Sequence, residues 1–128
     1  MMIADSDVLI DFLRDRSPWA GRIELEIKTG HLATTAINSF ELLSGAKSAA
    51  DQEKVSRLLA SLTVLGLTPE ASERAAEVRR SLESQGQGIG MADYLIAGVC
   101  LVSGGVLLTR NQDHFGRVSD LKLGGRHL

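Results

Sequence analysis

The sequence predicts an α/β domain: a mostly parallel sheet of four to five strands, flanked by helices on both faces. Two observations carry that expectation. Short apolar runs alternate with single helices or helix pairs along the chain, the order that builds a parallel sheet covered on both sides. The 128 residues contain no repeat, linker or compositional break, so residues 1–128 read as a single domain.

The chain opens on an apolar strand through Ile3-Ala4 that closes at Asp5, and Val8, Leu9, Phe12 and Leu13 then keep helical spacing. Ser17-Pro18 reads as an N-cap followed by proline at the first helical position, with Gly30 as the stop. Trp19, Ile23 and Ile27 lie four apart on one face of that helix. Residues 32–36 form a short second strand, and residues 38–46 and 51–62 two further helices. A third strand spans 63–67. Thr68-Pro69-Glu70 opens the next helix by the same cap-plus-proline logic, with an acid suiting its N-terminal dipole, and Gly86 ends it. Residues 91–102 form an apolar helix stopped by Gly104-Gly105; residues 106–109 are a fourth strand, followed by a polar turn and a short tail.

Composition narrows the function classes. Apolar residues make up 44% and charged residues 23%, which excludes a disordered or low-complexity chain. The one cysteine, Cys100, excludes an intrachain disulfide framework and a Cys-rich zinc site, and its place in an apolar helix reads as core. The net charge of −2 means that nucleic-acid contact must come from a local patch. Met1 to Asp5 lacks a basic leader, and no stretch approaches the roughly 18 apolar residues of a membrane span, so the expected setting is the cytoplasm without a membrane.

In an open parallel sheet, ligands bind beyond the carboxyl ends of the strands. Acids or amides sit where most of those ends meet one rim: Asp5, Glu41, Asp93, Asn111 and Asp113. Each has a local explanation. Glu41 three residues after Asn38 resembles a capping box, Asp93 suits a helix dipole, Asp5 can cap the helix from Ser6, and Asp113 lies in a polar turn. Asp7 and Asp11 are expected to face solvent. Jointly the set says more. Two carboxylates 4 Å apart repel by roughly 4 kcal/mol at an effective dielectric of 20, so several on one rim call for a cation or shared protons. All-oxygen ligands match Mg²⁺ or Mn²⁺, whose chemistry suits phosphodiester hydrolysis.

At these residues the sequence resembles the PIN-domain ribonucleases, specifically the VapC-type toxins of bacterial toxin–antitoxin pairs. The matching segments are Ile3-Ala4-Asp5-Ser6-Asp7-Val8-Leu9-Ile10-Asp11, Phe40-Glu41-Leu42-Leu43-Ser44-Gly45-Ala46, Ala92-Asp93-Tyr94-Leu95-Ile96-Ala97, and Leu107-Leu108-Thr109-Arg110-Asn111 running on to Phe115. No single motif is specific; the ordered set of four is. The resemblance implies a PIN-like fold, Mg²⁺-dependent RNA cleavage, a homodimer and inhibition by a small antitoxin. It also implies that Asp5, Glu41 and Asp93 hold the metal and that Thr109 and Asn111 support the site. Relatives often carry an acid immediately before the phenylalanine. Here that position is His114, with Asp113 one earlier, so either Asp113 substitutes or no acid fills the fourth place.

Other features are read as structural. Gly86-Gln87-Gly88-Ile89-Gly90 follows a helix and is not a phosphate loop; His31, His114 and His127 lack metal-ligand spacing and are expected at the surface. Arg74, Arg79 and Arg80 alternate with glutamates as on a salt-bridged solvent face, whereas Arg14, Arg16, Arg110 and Arg117 flank the acidic rim and suit phosphate contacts. Three other functions compete. Asp5-Ser6-Asp7-Val8 is close to the opening of haloacid-dehalogenase-type phosphatases, but no lysine follows a strand end as that chemistry needs. A response-regulator receiver lacks its aspartate and lysine. A degenerate PIN-like module would bind RNA or its partner without cutting.

Overall fold

The computed structural model describes residues 1–125, and the centre of its sheet is a three-residue strand. β1 (Met2–Ala4) runs parallel to β2 (Leu32–Thr35) on one side and to β4 (Val106–Leu108) on the other. β3 (Thr63–Leu65) and β5 (Lys122–Gly124) are the edges, giving the order β3-β2-β1-β4-β5. Every pairing is parallel, so each strand reaches the next through a crossover. α1 (Ser6–Leu13) and α2 (Trp19–Thr29) lead to β2, and α3 (Ala36–Gly45) and α4 (Ala49–Ala60) lead to β3. α5 (Pro69–Ser84) and α6 (Met91–Ser103) cross to β4, and α7 (Gln112–Phe115) precedes β5.

The two-residue period of the strands divides the core. Ile3 and Leu107 pack on one face of the sheet against Val78 and Leu82 of α5, Ile96 and Ala97 of α6, and Phe115 of α7. Ala4, Leu32 and Leu108 pack on the other, against Val8 and Leu9 of α1, Ile23 of α2, Leu42 of α3 and Leu58 of α4. Cys100 lies in the first layer, where burial pushes its thiol up to about 12. No helix among the described residues is long and apolar enough to cross a membrane.

Caps explain where the helices begin. Thr35, Ser48 and Thr68 each accept a backbone N–H three residues on, at Asn38, Asp51 and Ala71. Two expected starts are corrected. Thr35, not Asn38, caps α3, so Asn38 and Glu41 form no capping box and the Asn38 amide is free to point elsewhere. Ser17 does not cap α2; Pro18 holds that position in helical conformation without a side-chain bond.

The polar turn and tail expected after residue 109 are α7 and β5 instead. The four residues of α7 are too few for a periodic signal; the helix follows from Phe115, which is fully buried. β5 has one aliphatic residue, Leu123, and owes its extended form to pairing with β4. Gly124 permits the close pairing, since a Cβ there would stand 2.9 Å from Leu108 Cδ2.

A second close approach lies between α5 and α6. A Cβ on Gly98 would collide with the Ala71 carbonyl and stand 2.8 Å from Ala75 Cβ. Both obstacles belong to a packed helix that can yield only by moving away. Gly98→Ala should therefore cost about 1–3 kcal/mol of stability, measured as a lower urea midpoint at unchanged m-value. A midpoint equal to wild type would show that the two helices separate freely.

Candidate active site

β1 and β4 are neighbours and end level with each other, which sets Asp5 and Thr109 side by side beyond the carboxyl edge of the sheet. This is also where strand order switches: the chain runs from β1 outward to β3, then crosses back to β4. The expected acids gather around Asp5. Its Oδ1 accepts from Ser6 N and from Asn38 Nδ2, both at 2.8 Å, and its Oδ2 accepts from Thr109 Oγ1 at 2.7 Å. Asp5 is only 8% exposed. Burial raises its carboxyl above the ordinary carboxylate range; the bonds from Thr109, Ser6 and Asn38 oppose the rise, and the charge of Asp93 adds to it.

Asn38 organises the near side of the cluster. It is fully buried, its Oδ1 accepts from Thr35 Oγ1 at 2.7 Å, and its Nδ2 reaches Asp5, Ser6 Oγ at 2.9 Å and Glu41 Oε1 at 3.5 Å. Ser6 Oγ donates to the same Glu41 oxygen at 2.8 Å. Asp5 and Glu41 are thus joined through one amide and one hydroxyl. On the far side Asp93, in the first turn of α6, has its Oδ2 3.0 Å from His114 Nδ1.

Asp7 also belongs here, against the expectation that it faces solvent. Its Oδ1 accepts from Val8 N at 2.7 Å and its Oδ2 from Arg110 N at 3.0 Å, while Thr109 Oγ1 stands at 3.4 Å. Burial, then the neighbouring charge of Asp5, raises its carboxyl to about 6. Asp11 is another correction: it is 6% exposed, and its Oδ2 lies 2.9 Å from Arg110 Nε. His114 is at the surface as expected, with 40% of its side chain exposed, and it also contacts Asp93.

The remaining expected site residues divide. Thr109 holds Asp5, and its hydroxyl accepts from Asn111 N at 3.0 Å, so the start of α7 is tied to the acidic site. Arg110 is half exposed above it. Asp113 is not brought to the cluster; its side chain is exposed and pairs with Arg117 at 3.1 Å. Among the described residues, no group of three or more His, Cys, Asp or Glu side chains stands in a metal-holding arrangement. His31 is exposed, and His127 lies outside the described residues.

The raised carboxyls fix the sign of a pH effect. Asp7 holds its proton more tightly in the fold than near the unfolded value of 3.8. Its favourable contribution is complete below that value and is lost as pH rises through about 6. Asp7→Asn, which keeps one acceptor oxygen, should therefore remove part of the loss of stability between acid and neutral pH. The expected difference at pH 7 is about 1 kcal/mol after solvent screening of this part-exposed group, read from urea titrations at several pH values. Parallel wild-type and variant profiles would mean that Asp7 titrates normally.

This arrangement has counterparts among known proteins. A family model described as the PIN domain matches residues 2–121. Ribonuclease VapC10 of Mycobacterium tuberculosis is 35% identical over 122 residues, covering 95% of this chain and 91% of that one. The tRNA(fMet)-specific endonuclease VapC of Shigella flexneri is 24% identical over 122 residues, 92% of each chain. In the crystal structure of VapBC2 from Rickettsia felis bound to a DNA fragment from their promoter, one chain matches with a TM-score of 0.85 at 25% identity, over 96% of both chains. The family match spans nearly every described residue, including the whole acidic cluster: the chain belongs to the PIN-domain family, among its VapC-type members.

Proposed function

We propose that the chain is a metal-dependent endoribonuclease, acting as the toxin of a toxin–antitoxin pair and hydrolysing RNA phosphodiesters with water. The observation that carries this reading is the buried Asp5, held above its ordinary range beside Glu41, Asp7 and Asp93. The relatives named as ribonuclease and endonuclease support it.

The chemistry of the donors fits Mg²⁺ or Mn²⁺, although among the described residues the carboxylates as they stand are not drawn into a metal-holding group. The set is all oxygen, with Asp5 and Asp7 destabilised as anions, and Glu41 Oε2 and Asp93 Oδ1 lack a protein hydrogen bond among the described residues. Mg²⁺ commonly takes one or two carboxylates and fills its shell with water and substrate phosphate oxygens. Asp5, Glu41 and Asp93 would hold the ion; when bound it acidifies water and offsets negative charge on the phosphate. Thr109 and Asn38 fix the rotamer of Asp5. Glu41, tethered through Oε1, would present Oε2 either to the ion or to a water in its shell, whose proton it could take. Arg110 and Asn111 lie at the same rim, where a substrate phosphate would arrive. Asp113, paired with Arg117 away from the cluster, has no role in this scheme.

A nucleophilic-aspartate phosphatase is disfavoured because it needs a lysine at the site, and Lys28 and Lys47 are bonded elsewhere. A non-cleaving PIN module has one observation in its favour: His114, not an acid, precedes Phe115 and contacts Asp93. A homodimer and a small antitoxin partner in the cytoplasm complete the proposal; the Rickettsia VapBC2 complex supports the partner.

Cleavage of labelled RNA decides between these readings. Wild type with Mg²⁺ should cut RNA, leaving 5′-phosphate and 3′-hydroxyl ends. EDTA should abolish cutting, and Asp5→Asn, Glu41→Gln or Asp93→Asn should lower it by about 100-fold or more. Recovery of 2′,3′-cyclic phosphates, or full activity in EDTA, would refute the water mechanism; no cutting at all would favour the binding module. Free wild type should also arrest bacterial growth, and the three variants should not.

A further inference from the structure

With a net charge of −2, the chain can meet a polyanion only where its cations gather. Most are committed to carboxylates: Arg22, Lys28, Arg57, Arg74, Arg79, Arg110 and Arg117 all form ion pairs. Among the described residues, Arg14, Arg16, Lys47, Lys54, Arg80 and Lys122 have no carboxylate partner. Arg80 is on α5 and Lys122 on β5. Arg16 and Lys47 follow α1 and α3, and Arg14, after α1, and Lys54, on α4, meet at one cavity.

A cavity of about 230 Å³ lies there, between α1, α3 and α4. Arg14 and Lys54 both line it, and Ile10, Leu13, Leu42 and Val55 give it an apolar floor. Glu41 is part of its wall, so the cavity and the acidic site share that residue. Asp51 is the one carboxylate of the wall outside the acidic cluster; it stands in the first turn of α4, where the helix dipole offsets part of its charge.

We propose that this cavity receives a nucleotide of the RNA strand beside the cleaved phosphodiester, with its base on the apolar floor and its phosphate between Arg14 and Lys54. The inference rests on the ribonuclease reading. The volume is below the roughly 300–1,000 Å³ of a drug-sized site, which suits one base rather than several. The floor is aliphatic, so a base would rest on it by apolar contact and not by aromatic stacking. A protein side chain could enter the same cavity. The two cations on its wall that lack carboxylate partners among the described residues, Arg14 and Lys54, favour the phosphate backbone instead.

The test uses Asp93→Asn protein, which should leave RNA intact, and a fluorescein-labelled random single-stranded RNA of about 20 nucleotides. Adding Arg14→Ala with Lys54→Ala should weaken binding at least about fivefold and flatten the slope of log affinity against log salt by about 1.4, two lost contacts on a single strand. Gly45→Gln should weaken binding without changing that slope: Gly45 lines the cavity, and a Cβ there meets nothing within 4 Å. Arg80→Ala should bind like the parent. Equal losses in Arg80→Ala, or parental affinity in both cavity variants, would overturn the proposal and leave the ribonuclease reading intact. RNA binding unchanged while a co-expressed antitoxin or a second copy dissociates in size-exclusion chromatography would assign the cavity to a protein instead. Absence of RNA binding by the parent, with no cleavage by wild type, would overturn both readings.

Discussion

The buried carboxylate of Asp5 is the constraint around which the rest of this structure is arranged. A carboxylate taken out of water must be paid for locally, by donors aimed at it. Three elements supply them: the first peptide of α1, the amide of Asn38 on α3, and the hydroxyl of Thr109 after β4. Each donor is itself held. Asn38 Oδ1 accepts from Thr35, and Thr109 Oγ1 accepts from Asn111 N. The hydrogen bonds leaving Asp5 therefore reach β2, α3, β4 and α7, and the carboxyl ends of three strands share one polar junction.

That junction explains why very short strands suffice. β1 and β4 have three residues each, and their ladder alone is a weak fastening. Their ends are fastened again by side chains, as when Thr34 Oγ1 donates to the Ala4 carbonyl at 2.7 Å. Aliphatic layers on both faces of the sheet exclude water from these bonds, which strengthens them and raises the cost of leaving any unmade. No buried side-chain nitrogen or oxygen among the described residues lacks a partner. The site is expensive in charge and complete in hydrogen bonding.

Much of this was legible in the sequence, and the failures have physical causes. Alternating apolar runs and helical periods revealed four strands and six helices because each buries a face with its own period. β5 and α7 escaped because neither has a local signal: pairing with β4 creates one, and burial of Phe115 the other. At the site, acids at strand and helix ends marked Asp5, Glu41 and Asp93. Asp7 and Asp11 were misassigned because their surroundings come from Arg110, about a hundred residues away in sequence. Asn38 was misassigned because Thr35 and Asn38 are both good caps, and sequence cannot say which one keeps its side chain for another task.

The carboxylates are not equivalent, and the differences follow from their hydrogen bonds. Asp5 is engaged through both oxygens and cannot turn. Glu41 and Asp93 are each tethered through one oxygen, to Ser6 and to His114, and keep the other for a ligand. His114 Nδ1 faces Asp93 Oδ2, so an imidazole able to donate stands where another carboxylate would have added repulsion. One immobile anion and two half-free ones are the set that the proposed Mg²⁺ or Mn²⁺ would have to draw together, with water and phosphate in its other positions. Burial is the larger cause of the raised Asp5 and Asp7 carboxyls, repulsion from Asp93 and from Asp5 adds to it, and a divalent charge would relieve that added part.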